Sequence, residues 1–464
     1  MTPHTRLRGL RRTLALLPLV AVALVGEGCK DILSVNDPDI ILEASSASGA
    51  LALKNGVLLR LAQALNGVQG PDAFFVYSGL VTDEWRSGDT FVQRNNQDQR
   101  IWEPTNTFNA DPYRRLNRVR VEGGAAIKAV RQYLPDSLSV VGRLFALTGY
   151  VEDLIGENYC NGTPLSSLDG TTIVYGQPLS NDSVLGLAIA NADSALAQAA
   201  LAPLADSIQS RRVARLASVV KGRALVDRGQ FAAAAAAVAS VPDTFRYQIT
   251  HSVNANTNQI FALNNSAKRY TMVNAEGVVG LDFIAANDPR LPRATGTSTA
   301  TDLIFDSSIP LFVTRQGIWN STAPVSIVTG VEARLIEAEA LLKAGNNAGW
   351  LQAINTLRTN AALYPPIQAG FTRGANLTAI ADTFANDTSR ILTHFRERAF
   401  WMFSTGHRLG DMRRLVRQYQ RPDSTVYPRG VYYKGGTFGT ARVLAVPFEE
   451  VNNPSFTQCT SENP

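Results

Sequence analysis

Cysteine and histidine are scarce in this chain of 464 residues, which has three of the first and four of the second. So few side chains of that kind exclude a disulfide-dense scaffold and a cysteine-based zinc module. There is no H-E-x-x-H pair, no C-x-x-C pair, no glycine-rich phosphate loop and no G-x-S-x-G elbow, so the usual signatures of metal, dithiol, phosphate-loop and serine-hydrolase chemistry are missing. No second long apolar run follows the one that ends at Val25, and a mean hydropathy of −0.04 excludes a polytopic membrane protein. Charge of one sign is also in short supply. The formal net charge is +5, but Arg6, Arg8, Arg11 and Arg12 against Glu27 place +3 of it ahead of Cys29. The remainder is nearly balanced, which argues against nucleic acid as a partner. What is present is 45% apolar and 18% charged residues, the composition of a folded body and not of a disordered chain.

The N-terminus reads as an export signal. The basic stretch Arg6 to Arg12 precedes the apolar run Leu14 to Val25, too short to span a ~30 Å hydrocarbon core and the right length for a secretory apolar region. Gly28-Cys29 then resembles a bacterial lipoprotein cleavage site, so residues 1–28 are expected to be removed and Cys29 to carry lipid. The alternative is an ordinary signal peptide cut nearby, leaving Cys29 as a free thiol. With Cys29 assigned to acylation, Cys160 and Cys459 form an even pair in an oxidising compartment and are expected to bond; two buried thiols are the alternative.

The body reads as all-α. Leu185, Ile189, Ala192 and Leu196 recur at helical spacing, as do Val213, Leu216, Val220 and Ala224, each making one apolar stripe. Arg228-Gly229 ends the second helix, and Gln230-Phe231 opens an alanine-rich one through Ala239. Glycine in the turn, an aromatic two residues on and Ala234 three further make the turn of a tetratricopeptide-like hairpin. A second such hairpin has Leu335, Ala338, Leu341 and Leu342 before Gly345, and Leu351, Ile354 and Leu357 after it. The two turn glycines lie several repeat lengths apart, which excludes a regular array of ~34-residue units. Segments near 71–113, 250–324, 361–388 and 421–442 read as loop-rich insertions, the kind of ordered irregular chain that builds binding surfaces.

Several short motifs, in order, carry a family resemblance. Cys29-Lys30-Asp31-Ile32-Leu33 with Asn36-Asp37-Pro38, then Asn287-Asp288-Pro289-Arg290-Leu291, lie in the first two thirds of the chain. Ala338-Glu339-Ala340 into Ala344-Gly345-Asn346, Arg396-Glu397-Arg398 with Gly406-His407-Arg408 and Asp411-Met412-Arg413-Arg414, and Val446-Pro447 with Glu450-Val451-Asn452 follow. Together they resemble the SusD/RagB family of nutrient-uptake outer-membrane lipoproteins. The resemblance implies a single domain over 29–464 of tetratricopeptide-like helix pairs with few short strands. It further implies an outward-facing, lipid-anchored place on the outer membrane, a SusC-like TonB-dependent β-barrel as partner, and binding of a nutrient, expected to be an oligosaccharide, without catalysis. A periplasmic tetratricopeptide-like scaffold that binds protein partners is the alternative.

The residues themselves suggest where a sugar would sit. Between Pro71 and Tyr113 stand Phe74, Phe75, Tyr77, Trp85, Phe91, Trp102, Phe108 and Tyr113 among Asp83, Arg86, Asp89, Gln93, Arg94 and amides. Flat rings beside planar polar groups suit a pyranose, whose apolar face packs on a ring while its hydroxyls take hydrogen bonds. Trp85, Trp102, Tyr77, Arg86, Asp83 and Asp89 are therefore the candidate ligand contacts, with Trp319 in a Gly317-Ile318-Trp319-Asn320 turn as another. The competing reading has the tryptophans anchoring loops and Asp83-Glu84 ordering them. Trp350 and Trp401 are assigned to the core, His407 to a hydrogen-bonded turn, and Glu397 and Asp411 with their arginines to a buried ion-pair brace. No catalytic residue, metal ligand or cofactor is expected, and a glycan-cleaving enzyme would need two positioned carboxylates.

Overall fold

The computed structural model describes residues 44–67, 72–170, 172–297 and 299–461. The export signal and Cys29 lie outside these residues. Helix α1 (Ala47–Asn66) starts where the Ser46 hydroxyl accepts the Gly49 N–H, and α2 (Phe74–Leu80) and α3 (Val92–Asp98) are short. The long helices α4 (Thr107–Tyr133), α5 (Leu138–Asn158), α6 (Asn181–Leu201) and α7 (Ser207–Asp227) follow. After α8 (Phe231–Val238) comes a loop-rich stretch, then α9 (Gly330–Lys343), α10 (Asn347–Thr359), α11 (Asp387–Trp401) and α12 (Arg408–Arg417). The helices stack in an unbroken run of neighbours, α1 on α4, α4 on α5, and onward one by one to α10. This is the expected helix-pair architecture.

The stripes read from sequence face inward. Val213, Leu216, Val220 and Ala224 are all essentially inaccessible, as are Leu335, Ala338, Ile354 and Leu357. The two turns fall where expected, with Gly229 at φ +73° and Gly345 at φ +74°, a left-handed conformation that glycine adopts without strain.

The tightest helix pair rests on a seam that sequence reading did not single out. Gly142, Gly149 and Gly156 recur at heptad spacing along α5 and face α6. A Cβ on them would stand 3.1 Å from the Ala195 carbonyl oxygen, 2.9 Å from that of Ala188 and 2.9 Å from the Leu185 side chain. Three missing methyl groups let two backbones approach closely, and the small Ala188, Ala192 and Ala195 complete the seam from α6. That composition makes α6 the one described helix long and apolar enough to cross a membrane, yet it lies packed between α5 and α7.

Strands among the described residues are short and paired in twos. Three pairs pin distant segments together: Trp85–Ser87 with Tyr270–Met272, Arg246–Ile249 with Val325–Thr329, and Arg293–Thr295 with Thr314–Gln316. The 71–113 stretch is corrected by the structure: it holds α2, α3 and the start of α4, because its aromatic residues are drawn into the core and not left in a loop. Cys160, just after α5, is bonded to Cys459 across a sequence separation of 299, with Cα atoms 5.9 Å apart. Closing so long a loop contributes about 5 kcal/mol in the chain-entropy account.

Candidate functional site

Of the aromatic stretch, Phe74, Phe75, Tyr77, Trp85 and Tyr113 are buried, Trp102 and Phe108 half-buried, and Phe91 exposed. Tyr77 and Trp85 are fully buried: the Trp85 indole donates to Ser404 Oγ at 2.9 Å and its ring packs 5.1 Å from that of Phe403. Asp83 and Glu84 go in with them. Asp83 Oδ2 accepts the Leu281 N–H at 3.2 Å and Glu84 Oε1 accepts the Ser404 N–H at 2.8 Å. Burial pushes the Asp83 carboxyl up to about 7, against the pull of Arg408, and the Glu84 carboxyl up to about 8, against its bond from Ser404. The structure thus corrects Trp85, Tyr77 and Asp83 as ligand contacts. Asp83 and Trp85 tie the loop after α2 to the chain around 281 and 404, and the large rings of Tyr77 and Trp85 gain more inside than on a surface. Trp102 is half-buried against the same core.

Arg86 and Asp89 point the other way along the chain. Arg86 donates to Glu276 Oε1 at 2.9 Å and lies over the Tyr433 ring, 4.6 Å from its centre. Asp89 has no accessible surface, which corrects it too as a direct contact. Its role is to hold arginines: it accepts from Arg94 and takes Arg269 Nη1 on both oxygens, at 2.7 and 2.9 Å. Burial would raise the Asp89 carboxyl, but the bonds from Arg269 and Arg94 outweigh it and hold it below its ordinary value.

Arg269, so fixed, forms the centre of a surface platform. Its guanidinium carbon lies 3.7 Å from the centre of the Phe305 ring and 5.1 Å from that of Phe91. Those rings are 43% and 45% exposed, an unusual position for phenylalanine. Phe91 is steadied edge-on by Phe108, with ring centres 5.6 Å apart, and Lys434 reaches Asp306 at 3.0 Å beside Phe305. The strand pairing of Trp85–Ser87 with Tyr270–Met272 brings these parts together from opposite halves of the chain. Sequence reading noted Phe91 in the aromatic stretch but chose the larger tryptophans, and nothing local marked Arg269 or Phe305.

Trp319 lies elsewhere, in the wall of a cavity of about 520 Å³. Gln316 clamps its turn, accepting the Ile318 and Trp319 N–H groups at 2.8 and 2.9 Å and donating to the Trp319 carbonyl at 2.8 Å. Trp401, half-buried, lines that wall while packing on the core as expected, with the Arg290 guanidinium 5.1 Å and the Tyr364 ring 5.8 Å from its ring centre. Trp350, by contrast, is fully buried as expected.

The cavity floor meets a buried ionic brace. Arg414 pairs with Glu339, with Asp411 at 2.6 Å and with Asp227 at 3.1 Å, while Arg223 joins Glu332 at 2.6 Å and Asp153 at 3.2 Å. Glu397 takes Arg290 at 2.6 Å and also Arg358. Asp153, Glu157 and His407 gather within 4.8 Å in metal-ligand fashion, but the Arg223 guanidinium already supplies positive charge there, and His407 Nδ1 pairs with Glu157 at 2.6 Å. These groups join α5, α7, α9, α11 and α12 across the core. The expected brace forms with Asp411 on Arg398 and Arg414, but Glu397 takes Arg290 and Arg358 in place of its flanking Arg396 and Arg398, and Arg396 goes to Asp282.

No family model and no curated protein matches the chain. Solved structures do. A SusD-like carbohydrate-binding protein from Bacteroides fragilis superposes with a TM-score of 0.60 at 13% identity, covering 89% of this chain and 99% of its own. A SusD homolog from Bacteroides thetaiotaomicron gives 0.58 at 14%, covering 89% and 97%. The fold is that of the SusD superfamily. Another SusD-like carbohydrate-binding protein, from Bacteroides vulgatus, agrees at 0.57 and 13% identity over 90% and 98%. The likeness of fold extends over 89–90% of this chain at 13–14% identity.

Proposed function

We propose that this protein is a surface lipoprotein, anchored to the outer membrane through Cys29, that captures an oligosaccharide and hands it to a SusC-like TonB-dependent barrel without chemical change. The observation that carries the reading is the platform itself. A guanidinium held by Asp89 against two exposed phenylalanine rings offers stacking area and hydrogen-bond donors side by side, with the arginine already fixed before a ligand arrives. Pyranose rings are matched by such a surface, with their C–H faces on Phe91 or Phe305 and hydroxyls on Arg269. The likeness to SusD-like carbohydrate-binding proteins supports the same ligand class.

The test is a screen of soluble polysaccharides by affinity electrophoresis, with the Phe91→Ala/Phe305→Ala double variant run alongside. Retardation of the native protein by at least one glycan, abolished in the variant at unchanged melting temperature, is the expected result. Equal retardation of both would remove the platform from the binding site.

A further inference from the structure

The strand Arg246–Ile249 has the sequence Arg-Tyr-Gln-Ile, and its two faces are unlike. Tyr247 and Ile249 are buried in the core, while Arg246 and Gln248, on the alternate face, line the cavity that holds Trp319 and Trp401. The pairing of Arg246 with Thr329 and of Gln248 with Ser326 fixes both on that side.

Arg246 differs from Arg290, the other arginine in the cavity lining. Arg290 is saturated by Asp288 and Glu397, but Arg246 makes no ion pair among the described residues; its one hydrogen bond goes to the Leu363 carbonyl at 2.9 Å. Asp243, three residues earlier, turns instead to Arg334 at 3.6 Å. The desolvation of Arg246 is accordingly uncompensated, and burial lowers its pKa from the ordinary value. Flat apolar side chains stand among the lining residues, namely Phe245, Trp319, Trp401, Pro365 and Pro366, and the second lining carboxylate, Glu332, is already paired with Arg223. A cation without a counter-ion at the edge of an aromatic slot has room for an anion that brings its own ring.

We infer that this cavity is a second binding site, distinct from the surface platform, for a small ring-bearing carboxylate whose carboxyl group pairs with Arg246 and whose ring lies against Trp319 and Trp401. A volume of about 520 Å³ accommodates one or two rings. Two sources share that chemistry, an acidic saccharide unit and an aromatic acid. The site is independent of whether the platform binds glycan.

Isothermal titration of the full chain with digalacturonate, neutral galactobiose and benzoate tests it, together with Arg246→Met and Arg246→Lys. The expected result is binding of at least one of the two carboxylates, weakened tenfold or more by Arg246→Met and partly retained by Arg246→Lys, with melting temperatures alike and quenching of tryptophan fluorescence. Binding of digalacturonate identifies an acidic saccharide, and of benzoate alone an aromatic acid. Failure of both carboxylates to bind the native protein, or equal affinity in the folded Arg246→Met protein, overturns the inference. The disaccharides are titrated into the Phe91→Ala/Phe305→Ala protein, which lacks the platform; there, galactobiose binding measurably and as tightly as digalacturonate, with no binding of benzoate, also overturns the inference.

Discussion

Arg398 and Asp411, on consecutive helices α11 and α12, meet in a fully enclosed pair, with the arginine Nε 3.0 and 2.9 Å from the two carboxylate oxygens. Asp411 also takes Arg414, so one carboxylate balances two guanidinium groups away from water. Burial would raise the Asp411 carboxyl, but Arg398 and Arg414 together hold it below its ordinary value. Removing this carboxylate leaves the buried Arg398 without its ion-pair partner, while Arg414 keeps Glu339 and Asp227. Asp411→Ala is expected to cost about 3–5 kcal/mol in urea unfolding, the range for breaking a buried pair from one side. A loss below about 1 kcal/mol would show that water enters the brace.

The α5 seam makes an equally local prediction. Gly149→Leu pushes a branched side chain against the Ala188 carbonyl and the Asn191 Cβ, 2.9 and 3.2 Å from where its own Cβ would start. Helix separation must follow, and a loss of about 1–3 kcal/mol or more is expected. Gly124→Leu on α4, where an added Cβ meets nothing, is the control and should unfold close to the native midpoint. A loss at Gly149 no larger than at Gly124 would mean that the seam has room for the added side chain.

The disulfide is checked chemically. Non-reducing peptide mapping should recover the Cys160 and Cys459 peptides as one linked species. Cys459→Ser should lower stability by about 2–5 kcal/mol. Alkylation of both thiols in the unfolded, unreduced protein would refute the bond.

Glu84 sets a pH dependence. Its carboxyl lies at about 8 in the folded protein against 4.5 ordinarily, so between those values the folded state holds a proton that the unfolded chain has released. Stability therefore falls as pH rises through this window, and the contribution is lost fully only above about 8. Glu84→Gln keeps an acceptor for the Ser404 N–H but has no proton to lose. Its stability should gain on that of the native protein from pH 5 to pH 9, by chemical denaturation at each pH. Parallel curves would mean Glu84 is solvated.

What sequence reading recovered follows from range. The stripe Val213 to Ala224 and the turns at Gly229 and Gly345 are set by neighbours close by in the chain, and all stand where expected. The brace around Glu397 and Asp411 was visible because clustered opposite charges in an apolar stretch have few other uses. The site was less legible. Trp85 is buried because its strand pairs with Tyr270–Met272, and Phe91 joins the platform because Arg269 and Phe305 arrive from the far side of that pairing. A relation between segments so distant in sequence leaves no periodicity to read. Ring size also misled, since the largest aromatic residues gain most from burial and the exposed pair are phenylalanines.

The central claim is that this chain is the capturing half of an uptake pair, and purification of the tagged protein from detergent-solubilised outer membranes tests it most directly. The account predicts a TonB-dependent β-barrel in near-equal amount beside it, identified by mass spectrometry. Recovery of soluble periplasmic proteins with no barrel would contradict it and favour the helical scaffold instead.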